Sequence, residues 1–184
     1  GVRDGEEVHE PLTEEQIYFT DFENATAGLG NLDDFEDWVV QSANSRVIDS
    51  IVRAPFPGLG ARSARITMPA NDSDMSNILV YNRVSYDPIA TGQPKIRISA
   101  SVALEIPNPA GHSISDRERD SFEFTIWNSE GALLANLQFY NDAEFSIWRW
   151  DGLNQRRQPG EFQAGTLFNL RIEINLAANS WSVF

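Results

Sequence analysis

From Lys95 to Ile106 apolar and polar residues alternate for twelve positions. Ile96, Ile98, Ala100, Val102, Leu104 and Ile106 fall in one set, and Lys95, Arg97, Ser99, Ser101, Ala103 and Glu105 in the other. A period of two places each set on its own face of an extended strand and has no helical interpretation. Pro107 and Pro109 follow, and proline, lacking an N–H, stops the ladder. Three further runs behave alike: Phe122, Phe124 and Ile126 alternate with Glu123, Thr125 and Trp127. Leu133, Ala135, Leu137 and Phe139 alternate with Leu134, Asn136, Gln138 and Tyr140, and Leu170, Ile172, Ile174 and Leu176 with Arg171, Glu173 and Asn175. Asn128-Ser129-Glu130-Gly131 is the expected hairpin turn between the first two, with glycine where a positive φ is needed.

Shorter β-prone runs occur at Ile17–Phe19, Trp38–Val40 and Val47–Val52, with a turn-rich stretch from Asn24 to Asp34. No segment carries apolar residues at helical spacing over three turns. Many short alternating strands separated by polar turns predict a sandwich or a barrel. Residues 1–16 are acidic and nearly free of large apolar side chains, which predicts a flexible lead-in, and 17–184 a single β-sandwich domain. Ala177–Ser180 is an expected turn, and Trp181–Phe184 opens a further strand. Our expectation is that the native protein continues beyond it.

Composition removes whole classes of chemistry. There is no cysteine, so disulfides, thiolate metal sites and cysteine nucleophiles are excluded. Two histidines, His9 in the acidic lead-in and His112 in a Pro/Gly-rich loop, cannot build a multi-histidine zinc site. The net charge of −13 repels nucleic acid. No apolar run approaches the ~20 residues of a membrane-spanning helix, so no membrane insertion is expected.

The order Asp21-Phe22-Glu23, then Trp38, then Gly60-Ala61-Arg62-Ser63-Ala64-Arg65-Ile66 resembles the opening of extracellular jelly-roll modules. Ser121 to Gly131 and on to Phe139 resembles the central hairpin of concanavalin A-like lectin/glucanase domains. Phe162-Gln163-Ala164-Gly165, Leu170–Asn175 and Trp181 are similar to their closing strands. The resemblance implies an all-β fold, a two-sheet antiparallel jelly-roll sandwich, with a galactose-binding-like jelly roll as the alternative. It also implies an extracellular or periplasmic, cell-envelope setting.

If the apolar sets mark the core, Trp127, Tyr140, Trp148 and Trp150 project from the other faces of their strands, where Arg97, Gln138, Arg171, Glu123 and Glu173 also fall. Flat rings stack on the apolar faces of sugars, and such polar neighbours bond hydroxyls. The competing reading packs these rings under loops, tryptophan being usually well buried. The resembled glucanases hold their glycan on a concave sheet face. Glu118-Arg119-Asp120-Ser121-Phe122-Glu123 fits their Glu-x-Asp-x-x-Glu pattern, in which the outer glutamates are nucleophile and acid/base and the aspartate tunes them. Arg119 and Ser121, however, stand where that family has apolar residues. Glu118 and Glu123 also differ by an odd number, so only a bulge between Asp120 and Glu123 would gather all three acids on one face. The resemblance further admits a structural Ca²⁺ at Glu23, against which stands a hydrogen-bonded turn carboxylate; no cofactor is required. The leading expectation is a non-catalytic module that recognises an oligo- or polysaccharide. A laminarinase-like β-glucan hydrolase using Glu118, Asp120 and Glu123, or a structural or interaction domain without a small ligand, are the alternatives.

Overall fold

The computed structural model describes residues 14–25, 31–42, 48–53, 56–67, 78–105, 121–140, 146–150 and 155–184. Its strands are β1 (Trp38–Ser42), β2 (Ile48–Arg53), β3 (Arg62–Thr67), β4 (Ile78–Asn82), β5 (Lys95–Ala103), β6 (Ser121–Trp127), β7 (Leu133–Tyr140), β8 (Ser146–Trp150), β9 (Gln155–Glu161), β10 (Leu167–Asn175) and β11 (Ser180–Val183). Every pairing is antiparallel. β6-β7-β8-β9 form a four-stranded sheet, β11-β10-β5 a three-stranded one, and β1-β4 and β2-β3 two-stranded ladders. The protein is thus mostly β, as the alternation predicts.

The two larger sheets meet face to face. Ala135, Leu137 and Phe139 of β7 share one core with Leu170, Ile172 and Ile174 of β10 and with Phe162. Ile98, Phe122, Phe124, Ile126, Ile147 and Phe168 pack around it. Phe139 joins the layers directly, its ring 5.4 Å from Phe168 and 5.7 Å from Phe162. Leu137 and Ile172 are 1% and 0% exposed, and burial of such a side chain stabilises the fold by about 1.5–3 kcal/mol. The apolar set of each alternating run therefore lies between the sheets, and the polar sets form the outer faces of a sandwich-like stack. β5 lies in one sheet, the next four strands form the other, and β10 returns to pair with β5 along nine residues, from Leu167↔Ala103 to Asn175↔Lys95.

Two details were not anticipated from the sequence. β6 and β7 change register between Ile126 and Trp127: Ile126 pairs with Ala135 but Trp127 with Leu133. The extra residue shifts the parity, so Leu134, not Leu133, packs against the core. A one-turn helix, α1 (Pro88–Thr91), precedes β5; the Asp87 carboxylate caps it by accepting from the Ile89 and Ala90 amides at 2.9 and 3.0 Å. Proline at its start and Gly92 at its end, with φ of 66°, complete the signal. The strand expected to open at Trp181 is present as β11. β11 pairs with β10, and Phe184 and Arg171 exchange both backbone hydrogen bonds, at 2.9 and 3.1 Å. The Asn128–Gly131 turn follows the expectation: the Asn128 side chain accepts from the Glu130 and Ala132 amides, and Gly131 takes φ of 82°.

A second core of Ala25, Leu32 and Phe35, with Phe22, Trp38, Val40, Ala64 and Val80 around it, draws β1, β3 and β4 together. On its margin Trp38 Nε1 donates to the Tyr18 hydroxyl at 3.0 Å, and that hydroxyl donates to Glu36 Oε2 at 2.7 Å. Burial, and next the Glu36 carboxylate, raise the Tyr18 phenol above the ordinary tyrosine value. Of the sequence's domain division, residues 1–13 lie outside the described residues.

Candidate functional site

The outer face of the four-stranded sheet is set by register. Glu123 pairs with Gln138 and Gln138 with Trp148; Thr125 pairs with Asn136 and Asn136 with Trp150. Directly opposed residues share a face, and the alternate residues of these strands are core members, so these side chains form rows on the outside. Tyr140 and Ser146 extend the face at one end. At the other, Trp127 lies opposite Leu133 and is 46% exposed. Trp148 pairs with Arg157 and Ser146 with Glu161 on β9. Phe162 belongs to the core, which puts the exposed Glu161 on the outer side.

A hydrogen-bonded ladder crosses these rows. Gln138 Nε2 donates to Glu123 Oε1 at 2.9 Å, and the Tyr140 hydroxyl donates to Gln138 Oε1 at 2.9 Å. Asn136 Nδ2 donates to Glu123 Oε2 at 3.2 Å and to Thr125 Oγ1 at 2.8 Å. Both oxygens of Glu123 are thereby held from the sheet side, while the residue itself is exposed. The Trp148 ring meets Tyr140 edge to face, centroids 6.2 Å apart, and its Nε1 donates to Ser146 Oγ at 3.2 Å. Each bond fixes a side chain in place, which reduces the entropy lost when a ligand arrives. Asn136 and Ser146 form a buried floor, 4% and 1% exposed. Tyr140, Trp148 and Trp150 are half-buried on top of it. Asn136 Oδ1 is buried with no hydrogen-bond partner among the described residues.

Five of the seven residues expected to bind, Trp127, Gln138, Tyr140, Trp148 and Trp150, thus come together on one outer face. The indoles are not sandwiched between the layers. Arg97 and Arg171 do not join them. They lie on the outer face of the three-stranded sheet, with the core between the two groups. There Glu173 Oε1 lies 3.2 Å from Arg97 Nε and 3.5 Å from Arg171 Nε, Glu14 also pairs with Arg97, and the Arg171 guanidinium stacks 4.3 Å from the Phe184 ring centre. Thr125, Asn136 and Ser146 are the members sequence reasoning did not single out. Their signal was parity alone: each shares the polar set of its strand.

Glu118 and Asp120 lie outside the described residues. β6 pairs regularly from Ser121 to Ile126, so no bulge falls between Ser121 and Glu123; of the interval from Asp120 to Glu123 in which the three-acid arrangement needs one, the step at Asp120 lies outside the described residues. Glu23 has a structural part: its Oε1 accepts from the Ala61 and Arg62 amides at 2.9 and 3.0 Å. The Arg62 guanidinium in turn donates to the carbonyls of Glu23 and Ala25. A side chain on Gly60, whose φ is 76°, would meet Glu23 Oε1 at 2.9 Å, so glycine is what lets the carboxylate reach these amides.

No protein-family model matches the chain, and no curated protein sequence matches it. Among the described residues no helix is long and apolar enough to cross a membrane.

Proposed function

We propose that this protein is a non-catalytic carbohydrate-recognition module, a concanavalin A-like jelly roll of an extracellular or cell-envelope protein. It holds an oligo- or polysaccharide across the outer face of the four-stranded sheet. The observation that carries this reading is the coupled arrangement of aromatic rings and polar ladder: Trp148 against Tyr140, Tyr140 bonded to Gln138, and Gln138 bonded to Glu123. Rings supply stacking area for the apolar face of a pyranose, and the ladder supplies fixed partners for its hydroxyls. A buried amide and hydroxyl beneath the rings, Asn136 and Ser146, give a solvent-facing sheet a polar floor that packing alone does not require. The sequence −13 charge is compatible with a neutral sugar.

The test is a glycan microarray probed with the wild-type chain and with Gln138→Ala. The wild type is expected to bind a defined subset of glycans. Gln138→Ala, which breaks the ladder between Tyr140 and Glu123, is expected to lose that signal while circular dichroism stays unchanged. Absence of wild-type binding to every glycan on the array contradicts the proposal.

A further inference from the structure

Resting on the carbohydrate reading above, we propose that this face selects neutral, hydroxyl-rich glycans and rejects those carrying carboxylate or sulfate groups. The reason lies in which way the hydrogens of the ladder run. Asn136 Nδ2 spends its two hydrogens on Glu123 Oε2 and Thr125 Oγ1. The Tyr140 hydroxyl gives its single hydrogen to Gln138 Oε1, and the Trp148 indole gives its single hydrogen to Ser146 Oγ. Gln138 Nε2 donates to Glu123 Oε1. These hydrogens are therefore spent within the ladder, one each from Gln138 Nε2 and Asn136 Nδ2 on Glu123, and the buried Asn136 Oδ1 is left without a donor.

What Glu123 turns outward is acceptor capacity. A carboxylate offers about four lone-pair sites on its two oxygens; the ladder occupies one site on each, and Glu123 is exposed. A sugar hydroxyl can donate to such a group, and a hydrogen bond to an ionised acceptor is roughly twice as strong as a neutral one. A ligand carboxylate or sulfate brings no donor and meets like charge. Glu161 adds a second exposed carboxylate on the same outer side, opposite Ser146, and the whole chain carries −13. The one cationic residue in register with the described aromatic rows is Arg157, opposite Trp148 and three strands from Glu123.

The experiment measures binding of the full chain to immobilised laminarin, xylan and galactomannan and to the carboxymethylated derivative of each, by biolayer interferometry at low and high salt. At least one neutral polysaccharide is expected to bind, and its carboxymethylated partner to bind about tenfold more weakly at low salt, as unit charges at close range repel. Salt screens that repulsion and narrows the gap. Glu123→Gln is expected to narrow it as well, whereas Glu105→Gln, which removes the same charge from the segment just after β5, leaves it unchanged. A carboxymethylated partner that binds as well or better, with the advantage lost in Arg157→Gln, overturns the charge preference and leaves carbohydrate recognition standing. A gap unaffected by Glu123→Gln also overturns it. Failure of every polysaccharide to bind removes the carbohydrate reading, and this inference with it.

Discussion

Glu23 ties the first described segment to the start of β3 through two consecutive amides accepted by one oxygen. Glu23→Ala leaves both N–H groups without that charged acceptor and is expected to lower stability by about 1–3 kcal/mol in urea unfolding. An unchanged midpoint would show that water replaces the carboxylate at no cost. Tyr18 gives a pH signature. Its phenol titrates above the ordinary range because burial and then Glu36 disfavour the phenolate. The unfolded chain ionises first, so the contribution of Tyr18 to stability is fully present below about pH 10 and is lost as pH rises through the higher folded value. Tyr18→Phe is expected to flatten the alkaline fall in stability and to remove a late component from the tyrosinate absorbance titration. Identical alkaline limbs in the two proteins would contradict the assignment. A hydrogen-bonded carboxylate at Glu23 was one of its two sequence readings, but the partners of Glu23 and of Tyr18 were not legible, because Tyr18 and Glu36, or Glu23 and Ala61, are joined by chain reversals that leave no local periodic trace.

Among the elements, strands were the legible part. The alternation at Lys95, Phe122, Leu133 and Leu170 marks β5, β6, β7 and β10, and for most of their length it separates core from surface. It fails where the ladder itself is irregular. Leu133 and Leu134 are both leucine, so no pattern of polarity reveals which one faces inward; the register shift at Trp127 decides it. Leu134→Asn is therefore expected to destabilise the fold by about 2–5 kcal/mol, in the range of core truncations, and Leu133→Asn by markedly less. Equal losses in denaturant unfolding would place the bulge elsewhere. The helix α1 was missed for a different reason. At one turn it is too short to show a period, although its Asp87-Pro88 start and Gly92 stop are written in capping chemistry.

For the whole molecule, parity tells inside from outside but not one sheet from the other. That is why Arg97 and Arg171 were grouped with the indoles in the sequence, yet lie across the core from them. The assignment depends on β10 returning to β5 after four strands in the opposite sheet, a long-range pairing that no local pattern encodes. The two sheets are joined by more than the apolar layer. Arg149, opposite the core residue Leu137, reaches across to β11, donating to the Trp181 carbonyl at 2.8 Å with its guanidinium 3.8 Å from that indole's centre. A cation over an aromatic face in a partly desolvated place contributes about 0.5–2 kcal/mol. The stack therefore presents two chemically different outer faces: one of ion pairs around Glu173, the other of rings and acceptors around Glu123.

Recognition, as proposed, belongs to the second of these faces. Isothermal titration calorimetry with a neutral polysaccharide bound by the wild type, repeated with Trp148→Ala and with Arg171→Ala, compares the faces directly. Affinity is expected to fall at least about tenfold, or ~1.4 kcal/mol, in Trp148→Ala, and to stay near the wild-type value in Arg171→Ala. Loss of binding in Arg171→Ala with Trp148→Ala unaffected would put the ligand on the three-stranded sheet and contradict the proposed site.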